Sequence, residues 1–230
     1  MLDTIFSVIP PVNREGYFFI IVFFIASVVL GWLWNPLFWI GMVLTIWCIY
    51  FFRDPMRIIP LASHIVVAPA DGEVSWAGAC IPPKDLGLGD KEMYRISIFM
   101  DVFSVHVNRA PMDGVVKDLN YKTGEFANAK LDKSSENNER NCMVLETKYG
   151  DIGVVQVAGL VARKILCWAQ KDDKICAGER FGMIRFGSRV DLYLPMDVTP
   201  LVTFKQKIIA GETVLASFNH NLLWDDYRCE

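Results

Sequence analysis

Ile65-Val66-Val67-Ala68-Pro69-Ala70-Asp71-Gly72-Glu73-Val74-Ser75-Trp76 is the stretch whose reading decides the fold. Its first three residues are β-branched and apolar, which favours extended backbone. Pro69 and the Asp71-Gly72 pair then read as a turn, because proline fixes φ and glycine tolerates backbone that other residues avoid. Residues 73–76 resume as a second short strand. Working outward to the C-terminal side, the same alternation continues through 94–100, 104–108, 114–116, 143–147, 152–157 and further pieces up to Leu215, with turn residues about every 8 to 12 positions. This spacing predicts a mainly β fold, a sandwich or a barrel. Residues 119–140 are polar and end in Ser134-Ser135-Glu136-Asn137-Asn138-Glu139-Arg140, which predicts an excursion over the β domain.

Outward to the N-terminal side the composition changes. The chain is 53% hydrophobic, and the excess is concentrated in residues 16–52, which carry no charge at all. Pro36, inside Trp34-Asn35-Pro36, interrupts helical hydrogen bonding and disfavours helix at Asn35. Two apolar helices of about 17 to 19 residues follow, near the lower limit for crossing a hydrocarbon core. Arg14 precedes the pair and Arg53 and Arg57 follow it, so the positive-inside tendency places both ends on the cytoplasmic face of the cell membrane. A wedge embedded in one leaflet satisfies the same pattern. The expected division is 1–57, a membrane-associating helical hairpin, and 58–230, a β-rich catalytic domain.

A net charge of −3 without a long basic run gives no reason to expect nucleic acid as a partner. The six cysteines form no CxxC pair and no zinc-ligand spacing with histidine, so reduced thiols and no metal are expected.

The chemistry is concentrated at Met183-Ile184-Arg185-Phe186-Gly187-Ser188-Arg189-Val190-Asp191-Leu192-Tyr193-Leu194-Pro195. A serine hydroxyl attacks the preceding carbonyl most easily when that residue is glycine, which has no side chain to block the approach. The amide becomes an ester, and β-elimination of the ester leaves dehydroalanine, which hydrolyses to an amino-terminal pyruvoyl group. A tight turn between strands is the plain reading of a Gly-Ser pair taken alone. His106 is the candidate for proton transfer, because imidazole titrates near neutrality. Strand alternation would put Ser104, His106 and Asn108 on one face, with Val105 and Val107 on the other. Asp71 reads by itself as a turn residue before glycine.

Three stretches, Phe186-Gly187-Ser188-Arg189-Val190-Asp191, Ala68-Pro69-Ala70-Asp71-Gly72, and Phe99-Met100-Asp101-Val102-Phe103-Ser104-Val105-His106-Val107-Asn108-Arg109, together resemble the compact form of phosphatidylserine decarboxylase. The phrases Ala177-Gly178-Glu179 and Ala210-Gly211-Glu212 look like turns of lipoyl-type barrel-sandwich domains, so the implied fold is a barrel-sandwich-like β domain preceded by the apolar helical hairpin. The family resemblance implies a proenzyme that cuts itself at Gly187-Ser188 into a β chain, 1–187, and an α chain, 188–230. Ser188 would become the pyruvoyl group and form a Schiff base with phosphatidylserine, releasing carbon dioxide and phosphatidylethanolamine without metal or pyridoxal phosphate. It further implies that His106 protonates the product carbon and that Asp71 orients Ser188. Longer family members carry a second histidine three residues after the first. Here that position is Arg109, which leaves two alternatives for self-cleavage: His106 as base for both steps, or a different activating geometry. Arg109 and Arg189 are candidates for the lipid phosphodiester or carboxylate. The expected partners are phosphatidylserine in the membrane and the α and β chains of one proenzyme, with room for a homo-oligomer. A membrane-tethered barrel-sandwich adaptor without chemistry and a self-processing serine hydrolase are the competing readings.

Overall fold

The computed structural model describes residues 10–124, 138–159, 164–185, 188–219 and 227–230. The chain divides into two compact units, Met1–Met56 and Arg57–Glu230.

The first unit holds α1 (Arg14–Leu33) and α2 (Asn35–Phe51). Asn13 caps α1, its side-chain oxygen accepting the Glu15 amide at 3.1 Å. The break falls at Trp34, whose extended backbone ends α1, and Asn35 is already the first residue of α2 because Pro36 is tolerated in a helix's first turn. The two helices approach closely where Gly41 meets Ser27: a Cβ on Gly41 would lie 2.3 Å from that of Ser27. Small residues at such contacts let helix backbones pack in lipid. α1 has a mean hydropathy of 2.4 over its most apolar window and is long enough to cross a membrane, while α2 has 17 residues. Tyr17, Trp32, Trp34, Trp39 and Tyr50 are exposed along the pair. This apolar surface suggests membrane association.

Among its described residues the second unit is all β apart from one short 3₁₀ turn (Lys84–Leu86). In chain order its strands are β1 (Ile58–Pro60), β2 (Ile65–Val67), β3 (Gly72–Cys80), β4 (Met93–Met100), β5 (Val107–Arg109), β6 (Gly114–Lys122), β7 (Arg140–Thr147) and β8 (Gly150–Ala158). They continue with β9 (Ile165–Cys167), β10 (Lys174–Ile175), β11 (Arg180–Ile184), β12 (Ser188–Leu194), β13 (Thr199–Pro200), β14 (Lys207–Ile208), β15 (Val214–Ser217) and β16 (Tyr227–Cys229). Eight of them form a curled half-barrel sheet in the order β10-β6-β7-β8-β12-β4-β3-β14. Small sheets β5-β11-β9 and β13-β15-β2 complete the body, and β1 pairs with β16. The mainly β fold with an apolar helical pair expected from the sequence is the fold observed, at 43% strand and 21% helix.

β12 lies inside the large sheet, paired antiparallel with β4 on one side and β8 on the other, and all seven of its residues are buried. Its alternation divides two environments. Val190, Leu192 and Leu194 join the main core with Ile96, Ile98, Met100, Val154 and Ala158. Tyr193 packs on the opposite face with Leu86, Cys142, Val155 and Val157.

Two local expectations are corrected. β6 runs on to Lys122 and pairs with Arg140 at the start of β7, so both ends of the expected 119–140 excursion belong to a hairpin; its middle, 125–137, lies outside the described residues. The strand expected at 104–108 shrinks to β5, because Asp101 Oδ1 accepts the amides of Phe103 (2.8 Å) and Ser104 (2.9 Å) and fixes a turn there.

Gly72 opens β3 with φ +150°, and a Cβ at that position would sit 2.1 Å from the Phe99 carbonyl oxygen. Gly87 also has positive φ (+72°) but faces open space. Gly72→Ala is therefore expected to cost about 3 kcal/mol and Gly87→Ala about 1 kcal/mol. Melting temperatures of the two variants check this; equal losses would contradict the close approach.

Candidate active site

The sheet register brings the Asp71-Gly72 and Ser188 motifs to one rim. Ser188 starts β12 opposite Met100, the last residue of β4, and opposite Ala158, the last of β8. Glu73 pairs with Phe99, so the same register sets Gly72, and Asp71 just before it, beside Met100. With strands about 4.8 Å apart, β3 and β12 are separated by roughly 10 Å. His106 lies just before β5 of the small sheet, where Val107 pairs with Met183 and the Ile184 amide donates to the His106 carbonyl at 3.3 Å. The four residue steps from Ile184 to Ser188 span at most about 14 Å.

Ser188 is fully buried, and its hydroxyl has no hydrogen-bond partner among the described residues. An unsatisfied buried hydroxyl costs about 1–3 kcal/mol; Ser97 Oγ, inside β4, is buried and unpartnered among the described residues in the same way. Gly187, the other half of the expected cleavage bond, lies outside the described residues, as does Phe186.

His106 is also fully buried, and Val105, Val107 and Asn108 are buried with it. Its Nδ1 lies 2.9 Å from the Ser104 carbonyl oxygen. A carbonyl only accepts, so Nδ1 carries the proton in the neutral ring and Nε2 carries the basic lone pair.

The Asp71 carboxylate is bound by one nitrogen of the Arg57 guanidinium, at 2.9 and 2.8 Å to its two oxygens, and by the Ala210 amide at 2.8 Å. Its hydrogen bonds therefore go to Arg57 and Ala210 rather than to Ser188. Arg57 looked in the sequence like a flanking charge of the helical hairpin; the structure makes it the clamp of the Asp71 turn, with both side chains mostly buried. Arg109 donates to the carbonyls of Gly178 (2.8 Å) and Glu230 (3.4 Å) and is buried. Arg189 lies on the opposite sheet face from Ser188, bonded to Asp191 at 2.8 and 3.0 Å. Both candidate lipid-binding guanidiniums are thus engaged with protein oxygens.

At the far end of β12, Tyr193 lines an outer-face cavity of about 460 Å³ with Lys84, Asp85, Arg95, Lys122 and Arg140. A hydrogen bond from Arg140 holds the Asp85 carboxyl below its ordinary range. Five residues along a strand place this cavity roughly 17 Å from Ser188 and on the other face.

Sequence reasoning missed a chain of buried amides beside Ser188. Asn141 Nδ2 donates to Gln156 Oε1 (2.9 Å), and Gln156 Nε2 donates to Asn108 Oδ1 (2.8 Å). Asn108 Nδ2 then points at Met100 Sδ, 3.7 Å away. The signal was present: Val154-Val155-Gln156-Val157 places one amide in an apolar strand, and a buried amide demands partners. Among the described residues no group of three or more His, Cys, Asp or Glu side chains is arranged to hold a metal.

A family model described as phosphatidylserine decarboxylase matches residues 44–216, three quarters of the chain. The chain belongs to the phosphatidylserine decarboxylase family, and is accordingly a lyase of phospholipid biosynthesis that decarboxylates phosphatidylserine.

The Arg57–Asp71 clamp generates a test. Removing one partner of a mostly buried pair costs about 3 kcal/mol. Arg57→Ala and Asp71→Ala are expected to lose similar stability, and the double variant to lose far less than their sum. A denaturant-unfolding double-mutant cycle measures the coupling, and a coupling near zero would contradict the clamp.

Proposed function

Starting from membership of that family, we propose that this chain is a self-processing proenzyme whose Ser188 becomes the pyruvoyl group used to decarboxylate phosphatidylserine. The observation that carries this reading is the buried Ser188 hydroxyl, unpartnered among the described residues, at the first position of an interior strand. Ser188 Oγ attacks the preceding carbonyl; the peptide nitrogen leaves as the ester forms, and elimination of the ester releases the carboxylate of residues 1–187. Hydrolysis of the resulting dehydroalanine liberates ammonia and leaves residues 188–230 headed by a ketone.

The residues around position 188 fit such a group. The conversion removes the hydroxyl oxygen and the amine nitrogen, keeps Cβ as a methyl and adds one ketone oxygen, which needs no extra volume between Met100 and Ala158, and the inner face presents an amide donor at Asn108. A pyruvoyl ketone supplies an electron sink, condensing with the substrate amine and drawing off the electron pair as carbon dioxide departs. The protein's own groups do the rest. His106 Nε2, basic in the neutral ring, takes the Ser188 proton during self-cleavage and returns a proton to the substrate carbon during turnover. Asp71, held by Arg57, fixes the turn that borders Met100 and thereby the rim on which Ser188 stands. Residues 1–57 act as the membrane element, with the β domain on the cytoplasmic face working on lipid within the bilayer.

Ser188→Ala tests the reading. It is expected to remain one full-length chain on a denaturing gel and to release no carbon dioxide from carboxyl-labelled phosphatidylserine, while the wild-type chain splits and turns over. A Ser188→Ala protein that still decarboxylates would overturn the assignment. His106→Ala should lose decarboxylation by about 10²-fold or more, and splitting is expected to slow with it. Full turnover by a processed His106→Ala protein would remove His106 from the mechanism.

A further inference from the structure

Asn108 stands out among the buried polar side chains, because its bonding is lopsided. Its oxygen is taken by Gln156 Nε2 at 2.8 Å. Among the described residues its nitrogen, which carries two hydrogens, meets only the Met100 thioether at 3.7 Å, and sulfur of this kind is a weak acceptor. Asn108 is fully buried. The amide orientation is set by the network: the Leu166 carbonyl, 3.5 Å from Gln156 Nε2, only accepts, and Asn141 Nδ2 donates to Gln156 Oε1. Gln156 thus presents its nitrogen to Asn108, and Asn108 presents its nitrogen to Met100.

Met100 is the direct cross-strand partner of Ser188, and side chains at paired positions project on the same face, about 4.5–5.5 Å apart at Cβ. An under-used buried donor and an unpartnered buried hydroxyl therefore flank one flexible thioether. We propose that Asn108 is a positioning residue for self-cleavage: displacement of the Met100 side chain lets Asn108 Nδ2 donate to Ser188 Oγ, stabilising the negative charge that develops on the oxygen as its proton leaves. Gln156 and Asn141 act through Asn108 by holding its nitrogen outward. The inference rests on the reading of Ser188 as the self-cleaving residue.

The test follows chain splitting of freshly translated full-length protein by gel, with the melting temperature of each variant recorded on a Ser188→Ala background that does not split. Asn108→Asp keeps size and still accepts from Gln156, but replaces the donor by an acceptor. Splitting is expected to slow by roughly 10²-fold, the scale of losing one oriented donor. Gln156→Glu should turn the Asn108 amide round and slow splitting comparably, and the double variant should be no slower than Asn108→Asp alone. Where Asn108→Asp fails to fold, Gln156→Glu carries the test. Splitting at the wild-type rate in either folded variant would overturn the proposal, as would a loss of rate in simple proportion to a fall in melting temperature. Absence of splitting in the wild-type chain would instead overturn the reading of Ser188 itself.

Discussion

Everything at the rim depends on β12 being hydrogen-bonded along both edges. Pairing with β4 and β8 fixes Ser188 opposite Met100 and Ala158 to within a fraction of a strand spacing. A one-residue slip would turn Ser188 to the opposite, also buried face and move Arg189 and Asp191 into the main apolar core. The cost of that exchange, two charges for Val190, Leu192 and Leu194, locks the register more firmly than any single contact at the site. The Arg189–Asp191 pair on the far face serves the same end, since each charge is compensated only while the strand stays in place.

Local chemistry at the rim is then a matter of what the neighbouring strands deliver. β3 brings Asp71 by way of Gly72, where only glycine clears the Phe99 carbonyl, and Arg57 pins the turn. The small sheet brings His106 and, two residues on, Asn108. Both side chains are buried, and hydrogen bonds formed by buried groups act in a medium of low dielectric and fixed geometry.

Much of this was legible in the sequence. The Pro/Asp-Gly turn at 69–72, the β-branched pieces around it and the uncharged run at 16–52 gave the mainly β architecture and the helical pair. The Gly187-Ser188 pair and His106 stood out by chemistry. Asp71 was recognisable, but its Arg57 partner was not, because the contact joins residues fourteen apart across a turn whose path the sequence does not state. The strand expected at 104–108 begins only at Val107, because Asp101 captured the amides of residues 103 and 104. Gln156 and Asn141 escaped notice for a related reason: an amide in an apolar strand signals a partner without saying which strand supplies it, and β5 with β7 and β8 come together only through the half-barrel's closure.

The most direct measurement is the intact mass of the small chain from purified wild-type protein. The account predicts residues 188–230 with the first residue lighter than serine by one ammonia, blocked to amino-terminal sequencing and reactive toward a hydrazide. A small chain with the mass of unmodified residues 188–230, yielding Ser-Arg-Val from its amino terminus, would contradict it, and so would a single uncut chain of 230 residues that decarboxylates phosphatidylserine.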